Sequence, residues 1–114
     1  MRAVDRGARV SVELLYFDGC PHWRQAAAAV AEAARAAGVR PEVRMTRVSD
    51  PGGAVRLRFL GSPTVRVVGR DVEPGADQRS GYALACRLYE SETGRVWFPP
   101  VELIAVALRE AARR

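Results

Sequence analysis

Leu14-Leu15-Tyr16-Phe17-Asp18-Gly19-Cys20-Pro21-His22-Trp23 reads as an apolar strand end that turns at Asp18-Gly19 into a cysteine and then a helix. The residues leading to it alternate, with Val10, Val12, Leu14 and Tyr16 on one face and Ser11, Glu13, Leu15 and Phe17 on the other. The second face is polar at first and apolar from Leu15, which places the strand in the middle of a sheet covered on both sides. Reactive groups in such sheets lie just beyond the carboxyl ends of the strands, where Cys20 falls. A cysteine there stands near the free N–H groups and the positive dipole end of a helix start, and both favour thiolate over thiol. Three residues on stands Trp23, so no CxxC disulfide can close.

Downstream, His22 to Ala37 carries Trp23, Ala26, Ala27, Val30, Ala33, Ala34 and Ala37 at helical spacing. Pro21 suits the helix entry and Gly38 its stop. Pro41 to Val48 is expected as a second strand with Val43 and Met45 on the core face. Asp50-Pro51 supplies an N-cap and a first-position proline, Gly52-Gly53 weakens any helix after them, and a short helix is expected over Val55 to Leu60. Gly61-Ser62-Pro63-Thr64 leads into a third strand, Val65 to Val68, with a turn at Gly69-Arg70-Asp71. A polar loop from Glu73 to Gly81 comes next. Ala83 to Glu90 is expected as a fourth strand with Leu84, Cys86 and Leu88 pointing one way. Thr93-Gly94 turns the chain, Val96-Trp97-Phe98 is a short apolar stretch, and Val101 to Ala112 closes the chain as a helix with Val101, Ile104, Leu108 and Ala111 on its core stripe.

The 114 residues suffice for one domain, expected over 10–114 behind a flexible leader of residues 1–9. Hydrophobic residues make up 48% and charged residues 27%, ordinary for a globular chain, and no apolar run approaches a membrane span. No signal-peptide pattern comes after the first arginines, so the expected compartment is the cytoplasm. The net charge of +5 comes from eighteen basic residues, all arginine and scattered along the chain. That distribution, without interleaved stacking aromatics, does not point to nucleic acid. Two cysteines are too few for a disulfide-held secreted scaffold, which leaves reactivity or packing to account for them.

The order of elements, with Cys20-Pro21-His22-Trp23 at the first helix start, Ser62-Pro63-Thr64 before the third strand and a terminal helix, resembles the thioredoxin superfamily over nearly the whole chain. Gly61-Ser62-Pro63-Thr64 with Cys86-Arg87-Leu88-Tyr89 is also similar to small bacterial thioredoxin-like proteins, some named after alkylmercury lyase. The resemblance implies a four- to five-stranded mixed sheet with helices on both faces. It also implies Cys20 as nucleophile, Pro63 as a cis-proline facing it, and Ser62 offering its backbone to a bound peptide. Trp23, Ser62, Pro63 and Thr64 then line the substrate side. With Trp23 in place of a second motif cysteine, a mixed disulfide on Cys20 is resolved by an outside thiol or by Cys86.

Each of these residues has a plainer reading. Cys20 and Cys86 can pack as small hydrophobes, and for Cys86 between Leu84 and Leu88 that is the expectation. The neighbouring Gly19 and Pro21 argue for an accessible Cys20. His22, the one histidine, either stabilises a Cys20 thiolate or faces solvent. Trp23 packs on the sheet or shields the sulfur. Asp71, Glu73 and Asp77 lack the regular spacing of a cation site and read as a solvated loop.

Three functions are compatible with these residues. One is a monothiol protein forming mixed disulfides with protein or small-molecule thiols. It needs no cofactor and takes a low-molecular-weight thiol as co-substrate. Another is soft-metal binding, mercury or copper, through the thiolate of Cys20 with or without that of Cys86, or an accessory role in organomercurial detoxification. The third is a binding module without turnover that holds a partner between Trp23 and Pro63.

Overall fold

The computed structural model describes residues 7–113. β1 (Arg9–Tyr16) leads through the Cys20 turn to α1 (Trp23–Ala37), and then to β2 (Arg40–Arg47), α2 (Pro51–Arg56), β3 (Thr64–Val67) and β4 (Arg70–Asp71). After a 3-10 turn at Ala76–Gln78 come a separate hairpin, β5 (Tyr89–Ser91) with β6 (Gly94–Val96), and the last helix, α3 (Val101–Ala112). The sheet order is β2-β1-β3-β4, with β1 parallel to β2 and antiparallel to β3, and β3 antiparallel to β4. This is a mixed α/β fold on a four-stranded mixed sheet. Among the described residues no helix is long and apolar enough to cross a membrane.

The alternation of β1 produces the layers. Val10, Val12 and Leu14 point into a core shared with α1 and α3, in which Ala26, Ala29, Val30, Ala33, Ala34, Ile104 and Leu108 are buried. The alanines of α1 let helix and sheet approach closely, and Gly38 ends the helix in the left-handed conformation at φ 71°. Leu15, on the opposite face, joins Val48, Ala54 and Phe59 in a second, smaller core under α2. Helices therefore cover both faces, as the apolar end of β1 requires.

Several expectations give way. β1 starts at Arg9; the Gly7 N–H bonds the Gly38 carbonyl and Ala8 accepts from Arg40, so the leader expected over 1–9 is tied to the fold from Gly7 onward. Its remaining residues, 1–6, lie outside the described residues. Val43 and Met45 are 45% and 40% exposed because β2 is the outer strand and the helices do not reach across it. The short helix forms at Pro51–Arg56, earlier than Val55 to Leu60, because Asp50 caps it: its Oδ1 accepts from the Gly53 N–H at 2.6 Å, with proline at the first turn. Val101 and Ala111 are only partly buried on α3, whose inner face is Ile104, Ala105, Leu108 and Ala112.

The largest departure is the fourth strand. The residues read as a turn, Arg70–Asp71, form the fourth strand of the sheet, while residues 83–88 form none. They form a strap, bent at Leu84 and Ala85, with one β-bridge, Ser62 to Cys86. The strap is held by a few backbone hydrogen bonds, to Phe59 and Ser62, together with its buried side chains. Arg87 and Tyr89 point inward and are buried, and Cys86 and Leu88 point outward, one residue out of phase with the sequence expectation.

Candidate functional site

Cys20 lies where expected along the chain, in the turn between β1 and α1, but it is 2% exposed. Its N–H bonds the Phe17 carbonyl, closing the turn, and the His22 backbone N–H reaches Sγ at 3.4 Å. The helix proper starts at Trp23, so this single amide is what the helix entry offers the sulfur. The expectation of an accessible Cys20 therefore fails: the turn folds the sulfur inward. Cys86 shows the opposite departure. It stands exposed on the strap's outer side, because the phase shift that buries Arg87 turns its neighbour out.

The two cysteines, 66 positions apart in the sequence, are brought to one end of the sheet: Cys20 closes its turn on Phe17, just past the Leu15–Thr64 pair of β1 and β3, and Cys86 bridges Ser62, two residues before Thr64. The Cys86 thiol is pushed above its ordinary range by partial desolvation, and then by the charge of Cys20 and a hydrogen bond with it. Both thiols are free.

The strap is seated on the loop before β3. The Ser62–Pro63 peptide bond is cis. The Ser62 N–H donates to the Ala85 carbonyl at 2.7 Å, and the Ser62 carbonyl accepts from the Arg87 N–H at 2.9 Å. The backbone edge that the sequence reading offers to a bound peptide is thus filled by the protein's own residues 85–87. Gly61, at φ 123°, makes the close approach feasible: a Cβ there would lie 3.0 Å from both the Ala85 carbonyl oxygen and the Arg87 Cβ.

Beneath the strap is a cluster absent from the sequence reading. Arg87, 2% exposed, donates through Nη1 to Asp71 Oδ2 (2.8 Å) and Thr64 Oγ1 (2.9 Å), and through Nη2 to Asp71 Oδ1 (3.0 Å) and Glu73 Oε1 (2.8 Å). Thr64 Oγ1 in turn donates to the Gly61 carbonyl, and the Tyr89 hydroxyl donates to the Pro63 carbonyl. The guanidinium lies 4.5 Å from the Tyr89 ring centre. Burial opposes the charge on Arg87, yet the Asp71 hydrogen bonds, the Tyr89 and Asp71 charges and the Glu73 hydrogen bond outweigh it, and the proton is held more tightly than on a free arginine. Burial likewise keeps the Tyr89 hydroxyl protonated well above its usual range, against the opposing charge of Arg87. Asp71 and Glu73 therefore do not belong to a solvated loop: they are the counter-charges of a buried arginine, and only Asp77 of that acidic trio is exposed. The signal was Arg87 between Cys86 and Leu88, downstream of two carboxylates able to offset its charge.

The remaining candidates each have partners of their own. The His22 ring stacks on Trp97, centroids 5.6 Å apart and planes 8° from parallel, and its Nδ1 pairs with Gln25 Oε1. His22 meets the sulfur through its backbone. Trp23 packs on Tyr16 of β1 at 5.3 Å, with Arg24 over its ring. Ser62 and Thr64 are fully buried, and the Ser62 hydroxyl has no partner among the described residues. Trp97, 44% exposed, joins this rim without having been singled out for it in the sequence. Among the described residues no group of three or more His, Cys, Asp or Glu side chains is placed to hold a metal ion.

Comparison with family models, with curated proteins and with solved structures returns no match to this chain.

Proposed function

We propose that this chain is a thioredoxin-like thiol–disulfide protein whose working pair is Cys20 and Cys86, with Cys86 as the outward thiol and Cys20 as the inner one. The observation that carries the reading is the placing of an exposed thiol, on the segment bridged to Ser62, beside the turn past β1 that holds a buried one, near enough for the charge of Cys20 to raise the Cys86 pKa. The strand order, the cis-proline before β3 and the position of Cys20 at the first strand-to-helix junction agree with it. The pair supplies within one chain what Trp23 withholds from the helix start.

The reaction balances with a low-molecular-weight disulfide as oxidant. The Cys86 thiolate attacks one sulfur of R–S–S–R, forming the mixed disulfide Cys86–S–S–R and expelling RS⁻, which takes the proton given up by Cys86. Cys20 gives up its proton and attacks the Cys86 sulfur, forming the Cys20–Cys86 disulfide and expelling the second RS⁻, which is protonated. The protein loses two electrons and two protons, and the substrate becomes two thiols. In reverse, an outside thiolate attacks Cys86, the sulfur within reach, and Cys20 leaves toward the His22 N–H.

Counting released thiol tests this. With oxidised glutathione in excess, the native protein is expected to release two equivalents of glutathione and end without an adduct. Cys20→Ser is expected to release one and stop as a mixed disulfide on Cys86. Identical products from both proteins would refute the assignment.

The same contact favours a second reading, capture of a soft ion such as mercury or copper(I) between two thiolates, which need no third ligand. Titration with a mercurial separates it. A shared site loses affinity sharply in Cys86→Ser, whereas independent thiols keep their affinity per thiol.

A further inference from the structure

Resting on the reading of Cys20 and Cys86 as a working pair, we infer that Arg87 is the positioning residue of the reaction, holding Cys86 beside the Cys20 turn through its buried clasp on Asp71, Glu73 and Thr64.

Cys86 has little of its own to hold it in place. It is exposed, in a segment outside any strand, with a single β-bridge to Ser62. Its neighbour is fixed in every direction. Both terminal nitrogens of the Arg87 guanidinium are engaged, two of their four bonds forming a fork on the Asp71 carboxylate, and Nε alone has no partner. The partners come from three places: β4 supplies Asp71, the loop after it Glu73, and β3 Thr64. Adjacent side chains of an extended segment point to opposite sides, so fixing Arg87 inward fixes the direction in which Cys86 faces. The Arg87 N–H on the Ser62 carbonyl then sets its height over the cis-proline loop.

Closure of a disulfide inside one chain depends on the effective concentration of one thiol at the other, and the clasp sets that quantity here. Weakening it lets the strap wander, so that Cys86 stays in its mixed disulfide for want of Cys20 nearby. The guanidinium faces the opposite side of the segment from Cys86 and is matched by two carboxylates, so Arg87 acts through place and not through charge on the thiols. It touches no reacting atom.

The experiment equilibrates the full chain in a glutathione redox buffer, traps it with acid and alkylating agent, and measures the ratio of Cys20–Cys86 disulfide to Cys86–glutathione mixed disulfide. Arg87→Gln is expected to lower the ratio at least tenfold, with Arg87→Lys recovering part of it. Glu73→Gln, which keeps the Asp71 fork, is expected to lower it severalfold and carries the test where Arg87→Gln does not fold. A purely structural role would lower the melting temperature and leave the ratio of the folded protein alone. Native ratios in the folded variants would therefore overturn the positioning role while leaving the thiol pair standing. A native protein that forms only the mixed disulfide would overturn both.

Discussion

Cys86 is the thiol that reagents meet first, and its surroundings determine two outcomes. Brief treatment of the folded protein with iodoacetamide is expected to label Cys86 and spare Cys20, with both labelled after unfolding; peptide mapping reads the result, and equal labelling in the fold would contradict the burial of Cys20. The pH dependence has a definite sign. Desolvation, the charge of Cys20 and the hydrogen bond with it all raise the Cys86 pKa above 9.0, so its thiolate forms, and its alkylation accelerates, at higher pH than for a thiol without these neighbours. Replacing Cys20 by serine takes away the Cys20 charge, so the midpoint of the Cys86 rate profile is expected to move down. A midpoint that stays or rises would mean that the two groups do not sense each other. Linkage runs the same way. A pKa raised by folding contributes stability below the unfolded value, and that contribution is lost as pH rises through the folded one.

At the scale of the element, the strap over residues 83–88 and the β3–β4 hairpin carry the site. Removing one partner of a buried ion pair leaves an uncompensated charge, so Asp71→Ala is expected to cost about 3–5 kcal/mol in urea unfolding. A cost near zero would mean that the cluster is hydrated and does not clamp the strap. The hairpin holds a correctable weakness: its two-residue loop is Val68-Gly69, both with positive φ, 50° and 80°. A β-branched side chain is disfavoured there and Val68 is exposed, so Val68→Asn is expected to stabilise by about 1 kcal/mol, read as a raised melting temperature. These two elements also mark where sequence reading ran out. The alternation in β1, the alanine stripe of α1 with its Gly38 stop, and the Asp50-Pro51 cap each arise from local chemistry and were legible. In the strap the same hydropathy rule put Leu84, Cys86 and Leu88 on one face, yet Leu84 packs on the smaller core while Cys86 and Leu88 are exposed. Arg87 and Tyr89 went inside because Asp71 and Glu73, distant in sequence, neutralise the arginine and the Pro63 carbonyl accepts a hydrogen bond from the tyrosine hydroxyl. A burial preference that depends on a partner elsewhere in the chain leaves no periodic trace.

For the molecule as a whole, the site joins two ends of the architecture: the turn that leaves the central strand and the strap that returns over it after the sheet is complete. Cys20 was legible from its place after β1, and the Ser62-Pro63-Thr64 loop from its place before β3. Their meeting with Cys86 was not, since it depends on the strap's phase and on the long return from β4. A bond between the two sulfurs would close a loop of about 65 residues, and chain entropy gives such a closure about 4 kcal/mol of stability relative to the reduced protein. The oxidised form is thus expected to unfold at higher denaturant concentration than the reduced one, by an amount that reduction abolishes. The most direct measurement is peptide mapping of the full chain after oxidation by a low-molecular-weight disulfide. One cross-linked peptide joining the Cys20 and Cys86 segments is expected, in a protein lighter by two hydrogens. A final product carrying a stable adduct on Cys86, with Cys20 still a free thiol, would contradict the pairing of the two sulfurs.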